Sequence, residues 1–299
     1  MTSKKPLLIV LVGPTAAGKT ELGIKIAKKL NINIHNIDSR QMYQEFNIGT
    51  AKPTLIEQNE VKHFLLDICK PNQPISIKEF QLIAYRSIYQ EINKGTLPFL
   101  VGGSGLYVKS IIDGFTPPPV APQKKLRDQL QQLNPEERYE LLNICDPISY
   151  ERINKSDVIR TIRALEIYYA TGNPISYYNK NEAPKWEILE IGLDRKNLKE
   201  RILTRTHFIF KNGLIEETEN IIQKYGQRLS LLKTIGYKQA VDLIENRLKL
   251  EDAILETTQK TIQFAKRQRT WFRNKHKPIW LKSTDLEEEA LSLIKNALS

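Results

Sequence analysis

The residues best suited to chemistry stand together near the N-terminus. Gly13-Pro14-Thr15-Ala16-Ala17-Gly18-Lys19-Thr20 fill the phosphate-loop pattern G-x-x-x-x-G-K-[ST]. The two glycines let the backbone wrap so that successive N–H groups point inward at an anion, and the start of a helix adds partial positive charge. Lys19 brings a full charge to phosphate oxygens, and the Thr20 hydroxyl can ligate Mg²⁺. The apolar run Leu7–Val12 before the loop and the helical pattern after Lys19 supply the strand–loop–helix context that the motif requires. The motif establishes phosphate binding but leaves open whose phosphate it is.

Two other stretches near strand ends carry chemistry. Asp38-Ser39-Arg40-Gln41 follow a β-branched run, Ile32–Ile37, and residues just past a strand in an open α/β sheet lie in the ligand crevice. Asp38 is thus the first carboxylate placed to reach the loop; its alternative role is to cap a following helix. Gly102-Gly103-Ser104-Gly105 end a second apolar run, Pro98–Val101, which fits either a close backbone approach to a ligand or a tight turn without one. No Asp ends that run, which weakens an ATP-hydrolysis reading, although Asp38 or Asp67 could substitute.

Basic residues concentrate in two places. Arg160 and Arg163 project from one side of a helix whose Ile159, Ile162 and Leu165 cover another. They could clamp a phosphate or a base edge, or pair with Asp157 and Glu166. Lys260–Pro278 holds seven Lys or Arg and no acidic residue, with Arg269, Arg273 and Lys277 at i, i+4, i+8 and Trp271-Phe272 among them. Phosphate-backbone binding with aromatic packing fits this composition. A solvated basic face with aromatics turned inward is the alternative.

The elements that must position these residues read as α/β. Glu21–Leu30 and Ile77–Asn93 are amphipathic helices, the second ended by Gly95. Phe115–Pro122 carries four prolines and marks a domain break. Lys124–Gly172 is mostly helical, and a loop from Asn173 to Lys185 carries Pro174 and Pro184. Strand character returns at Ile188–Leu193 and Pro278–Leu281, with helical stretches at Leu198–Tyr225, Lys238–Asn246 and Asp252–Asn274 between them. The expected architecture is a parallel sheet with helices on both faces and an inserted helical domain: 1–116 and 186–299 form the core, 117–185 the insert.

Composition narrows the class. The 299 residues are 40% hydrophobic and 26% charged, as in soluble globular proteins. A net charge of +11 and a pI near 9.4 favour polyanion partners. Cys69 and Cys145 form no CxxC, the four histidines are scattered, and no apolar run is long enough to span a membrane. MTSKKP is too short and polar for a signal peptide. A cytoplasmic enzyme follows, expected to act as a monomer.

Seven stretches in series carry a more specific signal: GPTAAGKT, DSRQMY (Asp38–Tyr43), IGTAKPT (Ile48–Thr54), VGGSGLY (Val101–Tyr107), RTIRALEIYYATGNP (Arg160–Pro174), IGYKQ (Ile235–Gln239) and AKRQRTWFR (Ala265–Arg273). Together they resemble the tRNA dimethylallyltransferase, or tRNA isopentenylpyrophosphate transferase, family over essentially the whole chain. Ser104 stands where the family has Thr, and Lys62 precedes His63 where it has a second His. The resemblance implies transfer of a dimethylallyl group from dimethylallyl diphosphate to N6 of the adenine 3′ of the anticodon, in tRNAs whose codons begin with U. It also implies a Mg²⁺ requirement, a phosphate-loop kinase-like (nucleoside-kinase-like) fold and an insert gripping the anticodon stem-loop. Gly13–Thr20 would hold the diphosphate, Lys19, Thr20 and Asp38 would act in catalysis, and Thr20 would hold the metal. Asp38, Ser39, Arg40, Gln41, Ser104, Arg127, Ile159–Arg163 (with Thr161 and Ile162), Lys266, Arg267, Gln268, Arg269, Trp271 and Arg273 would contact tRNA. The alternatives are a small-molecule kinase using ATP, which leaves the basic cluster unexplained, and an RNA-binding module, which leaves the intact GKT unexplained.

Overall fold

The computed structural model describes residues 5–178 and 185–299; the expectations placed on residues 1–4 and on Pro184 lie outside them. The chain forms two compact units, one of Met1–Pro74, Ala84–Val108 and Lys185–Ser299, the other of Ile75–Ile83 and Lys109–Pro184. The first unit opens with β1 (Leu7–Val12), α1 (Lys19–Leu30), β2 (Ile34–Ile37), α2 (Leu55–Glu60) and β3 (His63–Phe64). Helix α3 (Ile77–Asn93) begins in the second unit and ends in the first, ahead of β4 (Phe99–Gly102); α4 (Gly105–Ile112) follows and passes back. The second unit continues with α5 (Lys124–Gln132), α6 (Pro135–Cys145), α7 (Pro147–Arg152) and α8 (Val158–Thr171). The first closes with β5 (Glu187–Gly192), α9 (Leu198–Lys211), α10 (Leu214–Tyr225), α11 (Tyr237–Ile244), α12 (Leu250–Lys275), β6 (Ile279–Trp280) and α13 (Leu286–Leu298).

The strands form one sheet in the order β3-β2-β4-β1-β5-β6, every neighbouring pair parallel. Helices on both faces explain why β1 is a continuous apolar run rather than an alternating one: Leu8 to Val12 are all fully buried. Ile9 and Leu11 share a core with Leu22 and Ile26 of α1 and with Ala290 and Ile294 of α13.

Several boundaries differ from the sequence expectation, each for a local reason. Strand β2 begins at Ile34 rather than Ile32, because Asn31 turns left-handed (φ 50°) and the Ile32 N–H bonds back to Ala27 O, closing α1. The stretch Leu198–Tyr225 is two helices, broken where Gly213 takes φ 102°. Helix α3 has the expected bounds and stops before Gly95 (φ 73°).

The second unit packs its helices around Leu130, Leu142, Ile162, Ala164 and Leu165. Asn134, Asp146 and Asp157 cap α6, α7 and α8, each side chain accepting a backbone N–H of the first turn. This unit starts at Lys109, earlier than the proline break at Pro117, and includes Ile75–Ile83. The prolines end regular structure without ending the contacts: Gln81 Nε2 donates to the Ser110 and Phe115 carbonyls at 2.5 and 2.8 Å. On α8, Ile162 and Leu165 are buried but Ile159 is 82% exposed. Steps of three fall about 60° short of a full turn, so Ile159 lies about 120° around the helix from Leu165.

Candidate active site

Four parallel strands deliver their C-terminal ends to one place in the first unit: β1 leads into Gly13–Thr20, β2 into Asp38, β4 into Gly103-Ser104, and β5 into Leu193-Asp194-Arg195. The β1, β2 and β4 ends border a cavity of about 1220 Å³ lined by Thr15, Lys19, Thr20, Asp38, Gln41 and Arg205, among others. It exceeds the roughly 300–1,000 Å³ of ordinary small-ligand pockets, so it has room for more than a diphosphate. Gly13 is required by close packing, since a Cβ there would sit 2.1 Å from Leu193 O. Gly18 (φ 95°) starts α1 from the left-handed region.

The loop is ringed by cations. Lys19 Nζ donates to Pro14 O at 2.8 Å. Burial pulls its pKa down to about 8, with nearby Asp38 opposing and Arg205 adding to the fall. Arg195 Nε donates to Ala17 O at 3.2 Å, Arg201 Nε to Ala16 O at 2.8 Å, and Arg205 Nη1 to Thr15 Oγ1 at 3.0 Å. No motif in the sequence marks these three arginines. The available signal was the i, i+4 spacing of Arg201 and Arg205, which sets both on one face of α9. Burial lowers the Arg205 pKa and Asp38 opposes the shift, so these two groups lie within electrostatic range.

Asp38 Oδ1 accepts the Arg40 N–H at 2.8 Å in a turn. Among the described residues the next helix after Asp38 begins only at Leu55, so the helix-cap alternative for Asp38 fails. Ser104 Oγ accepts the Ser39 N–H at 2.9 Å and joins the β4 end to the β2 end. Arg40 is exposed, and the buried Gln41 donates to the Thr50 and Ala51 carbonyls at 3.0 and 2.8 Å. That loop is gripped from α10 and α11. Glu217 accepts the N–H groups of Asn47, Ile48 and Gly49 at 3.1, 2.9 and 3.3 Å, and the Tyr237 hydroxyl at 2.5 Å. Burial first, and Glu217 second, push the Tyr237 pKa up, so the phenol stays a donor. The IGTAKPT stretch thus lines the cavity, held in place by Glu217 and, through it, by Tyr237 of IGYKQ; Glu217 is a residue the sequence did not single out.

The basic segment is the C-terminal half of α12, which ends at Lys275, so Lys277 leaves the face shared by Arg269 and Arg273. Trp271 and Phe272 turn inward. Phe272 is fully buried, and Trp271 packs so tightly on Gly105 that a Cβ there would lie 2.2 Å from the indole. Arg269 pairs with Asp194 (Nη2 to Oδ1, 2.7 Å), while Arg273 is exposed and 3.7 Å from the same carboxylate. Lys266 and Arg267 are exposed. Gln268 is buried: its Oε1 accepts the Thr15 N–H and its Nε2 donates to Gly103 O, both at 2.8 Å. It braces the phosphate loop.

The family model described as IPP transferase matches residues 41–275. The chain belongs to the IPP transferase family. Two relatives named tRNA dimethylallyltransferase, from Prochlorococcus marinus subsp. pastoris and P. marinus strain MIT 9301, are 56% and 53% identical over the whole of both chains. A solved tRNA delta(2)-isopentenylpyrophosphate transferase from Staphylococcus epidermidis is 32% identical, with a TM-score of 0.71 over 99% of this chain and 100% of its own. A eukaryotic dimethylallyltransferase solved acting on tRNA is 26% identical, with a TM-score of 0.80 over 98% of this chain and 78% of its own.

In this IPP transferase family member the remaining predicted contacts lie in the second unit, where most have protein partners. Arg127 makes a two-pronged pair with the fully buried Glu166 (Nε and Nη2, both 2.7 Å), and Arg163 bonds to Glu166 and to Val120 O (2.7 Å). Burial alone would raise the Glu166 pKa; hydrogen bonds from Arg127, the Gln123 N–H and Arg163 hold it below the usual range. Thr161 is buried and bonds to Asp157 O at 2.9 Å, and Ile162 is buried in the core, whereas Ile159 and Arg160 face solvent. Arg160 also contacts Asp157 (3.4 Å), so the carboxylate-pairing alternative describes both arginines. Among the described residues no group of three or more His, Cys, Asp or Glu could hold a metal, and no helix is long and apolar enough to cross a membrane.

Proposed function

We propose that this chain transfers the dimethylallyl group of dimethylallyl diphosphate to N6 of the adenosine immediately 3′ of the anticodon, in tRNAs reading codons that begin with U. The products are N6-(dimethylallyl)adenosine and diphosphate. One observation carries the chemistry: Asp38 shares a cavity, and electrostatic range, with Lys19 and Arg205 beside a phosphate loop. A carboxylate and an anion cradle side by side suit a reaction that removes a proton at one end and releases diphosphate at the other.

The allylic C–O bond breaks with its electron pair leaving on diphosphate. Lys19, Arg205 and the positive start of α1 stabilise that developing charge. An adenine amine is a weak nucleophile because its lone pair is shared with the ring. Asp38 orients it and takes its proton as the N–C bond forms. The base must leave its stack to reach the cavity, whose volume accommodates it beside the diphosphate. The Thr20 hydroxyl offers a hard oxygen donor in the cavity lining, which fits Mg²⁺ held by few protein groups together with phosphate oxygens. Bound there, Mg²⁺ would supply further charge neutralisation to the leaving group. Exposed Lys266, Arg267 and Arg273 suit the RNA backbone. We assign the protein to the cytoplasm, as a monomer.

The test supplies unmodified tRNA, Mg²⁺ and dimethylallyl diphosphate, then digests the RNA and weighs its nucleosides. Prenylated adenosine is expected, and Asp38→Ala should slow its formation by about 10² or more with tRNA binding intact. ATP consumption on a small alcohol without prenylated adenosine would make the chain a kinase instead.

A further inference from the structure

Asn36, on β2, has no role in the chemistry above, yet it lines the same cavity. It is only 6% exposed, and its Nδ2 has no hydrogen-bond partner among the described residues. A buried amide donor left unpaired is unfavourable, and the rare instances ask for an explanation. Its direction follows from its neighbours. A Cβ on Gly23 of α1 would lie 3.1 Å from Val101 Cγ2 and 3.7 Å from Ile34 Cδ1, so both of those side chains face α1. Val101 is the register partner of Asn36 across β2 and β4, and Ile34 precedes it by two. Strand alternation therefore turns Asn36 toward α1 as well, about 6.6 Å nearer the strand ends than Ile34. That level is the first turn of α1, where Lys19 and Thr20 face the cavity.

We propose that Asn36 is a diphosphate-contacting residue, its carboxamide donating to an oxygen of the leaving group beneath the first turn of α1. The surroundings favour an anion. Lys19 and Arg205 put positive charge around the same cavity, and no described group accepts from Nδ2, so an oxygen of a bound anion is the acceptor that fits. Asn36 completes the cradle from the sheet side, where the loop itself does not reach. The proposal rests on Gly13–Thr20 being the diphosphate holder.

The experiment titrates inorganic diphosphate with Mg²⁺ into the full chain by calorimetry and records the Tm of the ligand-free protein. Asn36→Leu, Asn36→Asp and Lys19→Ala are compared with the parent. Asn36→Leu removes an unpaired buried donor, so Tm should rise by about 2–4 °C while diphosphate binding weakens about tenfold or more. Asn36→Asp sets a like charge against the anion and should weaken binding further. A residue of purely structural importance would lower Tm and leave affinity unchanged, which overturns the proposal. Unchanged affinity in both Asn36 variants, with Lys19→Ala still losing diphosphate, overturns the Asn36 contact alone. A parent protein that binds no diphosphate overturns the loop assignment with it.

Discussion

The side-chain oxygen of Gln268 accepts the Thr15 N–H at 2.8 Å, joining the basic helix to the phosphate loop across 253 positions of sequence. The other end of the same amide holds Gly103 O, so one side chain sets the loop against the end of β4. Gln268→Leu keeps the volume and leaves both backbone groups unpaired in a buried place, an expected loss of about 1–3 kcal/mol. Diphosphate affinity should fall with it, while the salt dependence of tRNA binding stays the same. Thermal denaturation and two titrations check this. Weaker tRNA binding with diphosphate affinity intact would return Gln268 to the RNA surface.

Lys19 makes diphosphate binding pH-dependent. Burial lowers its pKa from 10.5 to about 8, so between those values the folded chain binds fewer protons than the unfolded one. The stability penalty of the buried ammonium is complete below about pH 8 and is relieved as pH rises toward 10.5. Ligand binding runs the opposite way, because the anion needs the charged form. Affinity for inorganic diphosphate should fall above about pH 8, approaching tenfold per pH unit. Lys19→Arg should bind with a flat profile across the same range. An identical slope in both proteins would assign the titration to another group.

Arg269 and Arg273, paired by their sequence spacing, should separate in experiment. Arg269→Ala strips Asp194 of its close partner beside the phosphate loop and should lower stability by about 1–3 kcal/mol. Arg273 is exposed and only 3.7 Å from that carboxylate, so Arg273→Ala should leave stability within about 0.5 kcal/mol. It should also reduce the magnitude of the salt slope of tRNA binding by about one. Denaturation curves and salt titrations of both variants decide it.

What the sequence determined by itself was local. The phosphate loop, the carboxylate two residues after Asn36, the parallel α/β order and the bounds of α3 follow from residue types at short spacings, and short spacings are set by backbone geometry alone. The ordered motifs also pointed to the family that the whole chain matches. What only the tertiary structure decided is which partner each polar group meets. The arginines of α9 and the loop after β5 reach the phosphate loop because β5 lies beside β1. Glu217 finds Asn47–Gly49 some 170 residues away, and Glu166 draws in Arg127 and Arg163. A charge on a helix face has the same sequence signature whether it awaits a phosphate or a carboxylate. Long-range packing makes that choice, because burial determines which charges must be neutralised within the protein and which stay free for a ligand.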